Sequence, residues 1–279
     1  MPALRTSGNY ATLQPRFQAM ENLQITFLGT GTSHGIPVIG CECAVCKSSD
    51  PRDKRLRTAI HIQMPSLSIA VDTTPDFRTQ CLREDITRLD AVLYTHSHVD
   101  HILGFDDLRR FCELENKAIP VHGSHETLTS LKRVFQYAFD GSARYPNYVR
   151  PDPVTMSGKF VMDGFDIIPV DLPHGRMVTN GLVFEKNGRR LFAYFTDCQS
   201  VPPEAEEAAR GVEVLVIDAL RHTAHSTHLT VQGALEAARR IGARQTWFIH
   251  MCHELGHAAT EADLPPDVRL AYDGLRIHV

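Results

Sequence analysis

No apolar run in this 279-residue chain approaches the roughly 18 residues of a membrane-spanning helix. The purest stretches, such as Leu67 to Val71, are strand-sized, which excludes a helical membrane anchor. Charge of one sign is also missing. Lys and Arg number 29 against 33 Asp and Glu, a net charge of −4, which argues against a broad basic footprint for a nucleic-acid polymer. The first 19 residues mix Pro, Arg, Gln and Ser without the apolar middle of a secretory signal, so export is not expected. Residues 1–20 are expected to be a disordered extension, with Met20 a candidate natural start. Repeats, low-complexity tracts and a Pro/Gly/Ser-rich linker are absent, and residues 21–279 are expected to form one domain. With 43% apolar and 22% charged residues, the composition excludes wholesale disorder.

The pattern along the chain interleaves short β-rich runs with helical ones. Strands are expected at Gln24 to Leu28, Thr58 to Gln63, Leu67 to Val71, Ala91 to Tyr94, Ile119 to His122, Phe165 to Val170, Leu182 to Glu185, Leu191 to Phe195, Val212 to Ile217 and Gln245 to Ile249. Helices are expected at Pro75 to Arg83, Ser124 to Phe139, Pro203 to Ala209 and Thr230 to Ile241. So many strands exceed one small open sheet, and two packed sheets with helices outside account for them. Tyr145 to Pro153, rich in proline, reads as a surface loop between two halves.

Seven cysteines is an odd number, and Cys41, Cys43 and Cys46 stand too close together for a disulfide framework. A cytoplasmic location and a metal are the better reading. Three thiolates within six residues suit a structural zinc, which needs a fourth ligand. His253 is the candidate, because one short segment would then tie that ion to His250; His257, His34 and Cys252 are its rivals. The 15 histidines fall in groups, of which His96, His98 and His101 directly follow the apolar run Ala91 to Tyr94. Together with Asp100 they offer four ligands in six residues at a strand end, more than one catalytic ion with an open position takes from so short a segment. Two ions are implied.

His96-Ser97-His98-Val99-Asp100-His101 resembles the signature of the metallo-β-lactamase superfamily. The resemblance runs from about Leu23 to the C-terminus and implies an α/β fold, a four-layer αββα sandwich of two mixed sheets with helices on the outer faces. Further ligands have matches in order: His174 in Asp171-Leu172-Pro173-His174-Gly175, Asp197 after Phe195-Thr196, and His250 after Trp247-Phe248-Ile249. The resemblance implies that His96, His98 and His174 hold one divalent ion, Asp100, His101 and His250 the other, zinc or manganese, and that Asp197 bridges them. Cys198 competes with Asp197, because β-lactamases of this superfamily use a cysteine there.

The Cys-x-Cys-x-x-Cys module, Thr58, Asp72 to Arg78 and Leu23 to Thr32 resemble the branch containing the phosphoribosyl cyclic phosphate phosphodiesterase of bacterial phosphonate breakdown. That branch carries a zinc centre completed by a histidine near the last catalytic ligand. The resemblance places His228 as the general acid on the leaving group, a role suited to imidazole near neutral pH, with Asp100 as its catalytic companion. His222, His225 and His34 are candidate substrate contacts. Asp72 could orient ligands through hydrogen bonds or cap the next helix. The expected activity is hydrolysis of small, cyclic phosphodiesters or nucleotides by a metal-bridging hydroxide, with homodimers common among such enzymes. Alternatives are a transfer-RNA 3′-processing endonuclease, a thioester or lactone hydrolase of the glyoxalase type, and a non-enzymatic zinc-binding partner protein.

Overall fold

The computed structural model describes residues 23–141 and 148–279; the expected extension at 1–20 lies outside them. Among the described residues, fourteen strands form two seven-stranded sheets. The strands are β1 (Gln24–Gly29), β2 (Ala59–Gln63), β3 (Ser68–Val71), β4 (Ala91–Leu93), β5 (Ile119–Gly123), β6 (Pro151–Thr155), β7 (Phe160–Met162), β8 (Phe165–His174), β9 (Met177–Lys186), β10 (Arg189–Phe195), β11 (Val214–Asp218), β12 (Gln245–Ile249), β13 (Val268–Leu270) and β14 (Arg276–His278). The first sheet runs β14-β1-β2-β3-β4-β5-β6 and the second β13-β12-β11-β10-β9-β8-β7. Both are mixed: β3 to β6 and β10 to β13 are parallel, the remaining neighbours antiparallel.

The alternation of side chains along a strand builds the layers. Ile25, Phe27, Ile69 and Val71 from one sheet meet Phe184, Tyr194, Val214 and Val216 from the other in a central core. The intervening Ala70 and Val92 face the helices over the first sheet, and Leu215 and Ile217 those over the second. Strands buried on both faces read as continuous apolar runs, which is why they were legible in the sequence. The outer layers hold α1 (Ala44–Lys47), α2 (Phe77–Arg83), α3 (Val99–Ile102), α4 (Leu108–Leu114), α5 (His125–Val134), α6 (Gln136–Phe139), α7 (Pro203–Ala208), α8 (Val231–Ile241) and α9 (His257–Ala262). The four-layer αββα sandwich is therefore present.

Two expectations are corrected. The single helix over Ser124 to Phe139 breaks at Phe135, whose backbone leaves the helical region (φ −111°, ψ 42°). Its ring instead stacks on Phe105 at 4.6 Å, so aromatic packing overrides helix continuation. Of the expected loop Tyr145 to Pro153, residues 145–147 lie outside the described residues, and Pro151 to Pro153 open β6, which pairs with β5. β6 is a mostly exposed edge strand, where a missing backbone N–H costs the ladder least and prolines are tolerated. Among the described residues no helix is long and apolar enough to cross a membrane.

Candidate metal centre and active site

The ligand candidates converge because each follows or ends a strand at one rim of the sandwich. The segment Thr95 to His101 follows β4, His174 closes β8, Asp197 follows β10 and His250 follows β12. His98 is the residue before α3, whose turn buries Asp100 and His101 and leaves Val99 exposed. Asp72, Asp197 and His250 hold left-handed backbone, with φ of 66°, 50° and 58°. Such angles are uncommon outside glycine, and here they bend three strand ends so that the side chains aim at one point.

The side chains fall into two adjoining groups: His96, His98 and His174, and Asp100, His101, Asp197 and His250. The hydrogen bonds fix which ring nitrogens face inward. The Thr95 hydroxyl donates to Asp72 Oδ2 at 2.8 Å, so it accepts from His96 Nδ1 at 3.0 Å and leaves His96 Nε2 as a lone pair. His174 Nδ1 donates to Thr227 O at 2.9 Å and His101 Nδ1 to Asp72 Oδ2 at 2.8 Å, which likewise frees their Nε2 atoms. His98 Nδ1 then lies 3.0 Å from His96 Nε2 and 3.2 Å from His174 Nε2, a crowding of nitrogens that one proton cannot satisfy. His101 Nε2 and His250 Nε2 are buried without a hydrogen-bond partner. Lone pairs directed together and orphaned in this way fit divalent cations, the groups that the fold implies.

Asp197 lies between the groups. Its carboxylate is 3.2 Å from His250 Nε2 and 3.3 Å from His101 Nε2 on one side, and 3.9 Å from His174 Nε2 and 4.0 Å from His96 Nε2 on the other. Burial holds the His96 imidazole well below its ordinary pKa. Burial pulls His101 the same way, but the carboxylates of Asp197, Asp100 and Asp72 outweigh it and hold that ring well above. Cys198 is not part of the cluster: its thiol is fully buried in the apolar layer beneath α7 and α8, and that burial pushes its pKa up. Asp72 is not the helix cap, a position that falls to Asp76.

His228 faces the same cleft, an opening of about 400 Å³ that it lines together with Ser33, Ser97, Val99 and Thr227. Its Nδ1 donates to Asp218 Oδ2 at 2.8 Å, and its ring stacks on His250 at 4.7 Å and 12°. Sequence reasoning missed Asp218. The available signal was an acidic residue ending the apolar run Val214–Ile217, the same arrangement that marks Asp197. His225 is exposed beside His228, with ring centres 5.2 Å apart. His222 and His34 are exposed and join neither group.

A separate cluster unites Cys41, Cys43, Cys46 and His253. The three sulfurs lie 3.2, 3.5 and 3.8 Å from His253 Nδ1. Backbone N–H groups of Cys46 and Val38 donate to Cys43 and Cys46 Sγ, at 3.4 and 3.3 Å. The Cys46 N–H lowers the Cys43 thiol to about 6, whereas burial raises Cys46 to about 11. This donor set fits zinc. The rivals for the fourth position point elsewhere: His257 packs on Tyr272, and Cys252 is buried with its carbonyl accepting from Arg55.

Among solved structures the fold matches a diphosphatase from the PhnP family, at 39% identity and a TM-score of 0.85, over 92% of this chain and 97% of that one. It also matches zinc-bound PqqB from Methylobacterium extorquens, at 18% identity and a TM-score of 0.74, over 92% and 100% of the two chains. A curated relative, named octanoyltransferase, from Porphyromonas gingivalis is 34% identical over 266 residues, 91% of this chain and 51% of its own. The chain thus spans about half the length of that relative. A family profile described as beta-lactamase superfamily domain matches residues 68–251, more than half of the chain. The chain belongs to the metallo-β-lactamase superfamily of metal-dependent hydrolases.

Proposed function

We propose that this hydrolase is a phosphodiesterase of small substrates, cyclic phosphodiesters or nucleotides. The position of Asp197 between the two ligand groups carries the reading. His96, His98 and His174 would hold one divalent ion, and Asp100, His101 and His250 another, zinc or manganese, with Asp197 shared between them. Cys41, Cys43, Cys46 and His253 would hold a structural zinc. A pair of such ions supplies positive charge for a phosphoryl group and acidifies a water to near-neutral pKa.

The protein's own groups do the rest. Asp72, Thr95 and Thr227 fix the imidazole tautomers before any substrate arrives. Asp100 opens to the cleft, where its carboxylate can accept a hydrogen bond from the attacking water. His228 is anchored through Nδ1 by the buried carboxylate of Asp218, which leaves Nε2 to protonate the departing oxygen. The 39% identical PhnP-family diphosphatase supports chemistry at a phosphorus–oxygen bond. Diphosphatase activity in that protein also favours a second reading, in which the bond cleaved is a phosphoanhydride. A cleft of about 400 Å³ and a net charge of −4 support a small substrate over an RNA.

The test is leaving-group dependence. His228→Ala should keep its metals but lose roughly 100-fold or more on a 2′,3′-cyclic nucleotide, whose alkoxide needs a proton. Turnover of bis(4-nitrophenyl) phosphate, whose leaving group needs none, should fall far less. Equal losses would remove His228 from the role, and a metal-loaded protein inert toward every diester would overturn the reading.

A further inference from the structure

Two buried atoms behind the cleft have no hydrogen-bond partner among the described residues: Asp218 Oδ1 and His250 Nδ1. Asp218 is fully buried at the end of β11 and pairs in register with Ile249, the residue before His250. Asp218, His228 and His250 each bring one nitrogen or oxygen within 4.8 Å of those of the other two. A carboxylate oxygen and an imidazole nitrogen left unbonded so close together, away from water, are each costly alone and complementary together.

The other contacts decide which atom donates. His250 Nε2 faces Asp197 at 3.2 Å and Asp100 at 3.8 Å, where a ligating ring presents its lone pair. The ring proton is therefore on Nδ1. Asp218 Oδ2 is already engaged, accepting from His228 Nδ1 at 2.8 Å and from the Cys198 N–H at 3.2 Å, so Oδ1 is the free acceptor. The rings of His228 and His250 stack at 4.7 Å and 12°, which lets the two oxygens of one carboxylate serve both. The remaining rings that present Nε2 to the cluster already have a partner on Nδ1: the Thr95 hydroxyl for His96, Asp72 for His101 and Thr227 O for His174. His250 is the exception.

We infer that Asp218 is a positioning residue shared by the two rings: Oδ2 holds the proton-donating His228, and Oδ1 holds the metal ligand His250 through its Nδ1–H. The inference rests on the roles proposed above for His228 and His250. A carboxylate on the outer nitrogen of a ligating imidazole fixes its tautomer and raises the basicity of the inner one. The same side chain then sets the proton donor at a fixed place relative to the ion that His250 would hold, so acid and ligand are ordered together.

Asparagine separates the two halves of this role. In Asp218→Asn the one amide oxygen takes the place of Oδ2, where two N–H groups meet, and the amide NH2 faces the His250 Nδ1–H, donor against donor. Zinc competition with a chelator on the full-length variant should show a catalytic ion bound about 10–100-fold more weakly than in wild type. At saturating zinc, the ratio of turnover on a 2′,3′-cyclic nucleotide to that on bis(4-nitrophenyl) phosphate should stay close to the wild-type ratio, because His228 keeps its acceptor. Asp218→Ala should lose both the affinity and the ratio. A measurement on the zinc-loaded wild type needs no variant: with isotope-labelled histidine, long-range proton–nitrogen NMR should find His250 protonated on Nδ1, with that proton far downfield in a strong hydrogen bond. Unaltered zinc affinity in Asp218→Asn, or a His250 Nδ1 proton without a hydrogen bond in wild type, would overturn the inference alone. Turnover of neither diester by the metal-loaded wild type would overturn the phosphodiesterase reading, while the zinc and NMR measurements still decide the inference.

Discussion

His253 lies three residues beyond His250, yet the two serve different clusters: His250 Nε2 stands 3.2 Å from Asp197, and His253 Nδ1 stands 3.2 Å from Cys41 Sγ. The segment between them is pinned. Met251 exchanges backbone hydrogen bonds with Thr30 and Thr32, and the fully buried Arg55 donates to Cys252 O at 3.2 Å and Leu255 O at 2.7 Å. The cysteine centre and the catalytic cluster are therefore parts of one rigid unit. Cys43→Ser should bind one metal equivalent fewer by elemental analysis, unfold at lower temperature and lose about tenfold or more of its turnover. Full metal content and full activity in that variant would separate the two centres.

Asp72 is the shared anchor of the first ligand group and His101. It accepts from His101 Nδ1 at 2.8 Å, the Thr95 N–H at 2.9 Å and the Thr95 hydroxyl at 2.8 Å. Asn tolerates the left-handed backbone at this position but replaces one carboxylate oxygen with an amide donor. Asp72→Asn should fold normally and weaken catalytic metal binding by about 10–100-fold in a chelator competition. Unaltered affinity would show that His101 needs no such partner.

Gly104 sits where α3 gives way to the next turn, and its N–H donates to Thr73 O at 2.9 Å. A Cβ there would lie 2.1 Å from Thr74 O and 2.6 Å from Phe77 Cβ, both in rigid surroundings. Gly104→Ala should destabilise the protein by about 1–3 kcal/mol in urea unfolding, because the added methyl would overlap the Thr74 carbonyl and the Phe77 side chain. An unchanged urea midpoint would mean that the segment yields freely.

His61 lies away from the cleft, and burial holds its imidazole down to about 4 from the ordinary 6.5. Between those values the unfolded chain binds a proton that the folded protein does not. Stability is therefore full above 6.5 and falls as pH drops toward 4, by roughly 3 kcal/mol at most. Its Nε2 faces the Ser68 hydroxyl at 2.7 Å, a hydrogen bond that a glutamine amide can replace without titrating. His61→Gln should show a shallower decline in urea midpoint from pH 7 to pH 5 than wild type, and parallel declines would assign the dependence to other groups.

The sequence announced what physical periodicity records. The doubly buried strands appear as apolar runs, whereas Asp197, His174 and His250 are singled out by the family resemblance, each at or just after a strand end. What it concealed has physical reasons too. β6 carries two prolines and stands exposed, and β13 and β14 are three residues each at the sheet edges, too short to show a pattern. Asp218 and Arg55 are buried charged residues with partners outside their own segment: the His228 ring and the Cys198 N–H for the first, and the carbonyls of Cys252 and Leu255, beside the neighbouring Asp53, for the second.

The most direct measurement is turnover of a small diester followed through metal removal and return, with elemental analysis at each stage. The expected result is loss of the divalent ions and of phosphodiester hydrolysis together on chelation, and recovery of both when zinc or manganese is restored. Hydrolysis that survives complete removal of the ions from the cluster around Asp197, or a fully metal-loaded protein that cleaves no phosphorus–oxygen bond, would contradict the account.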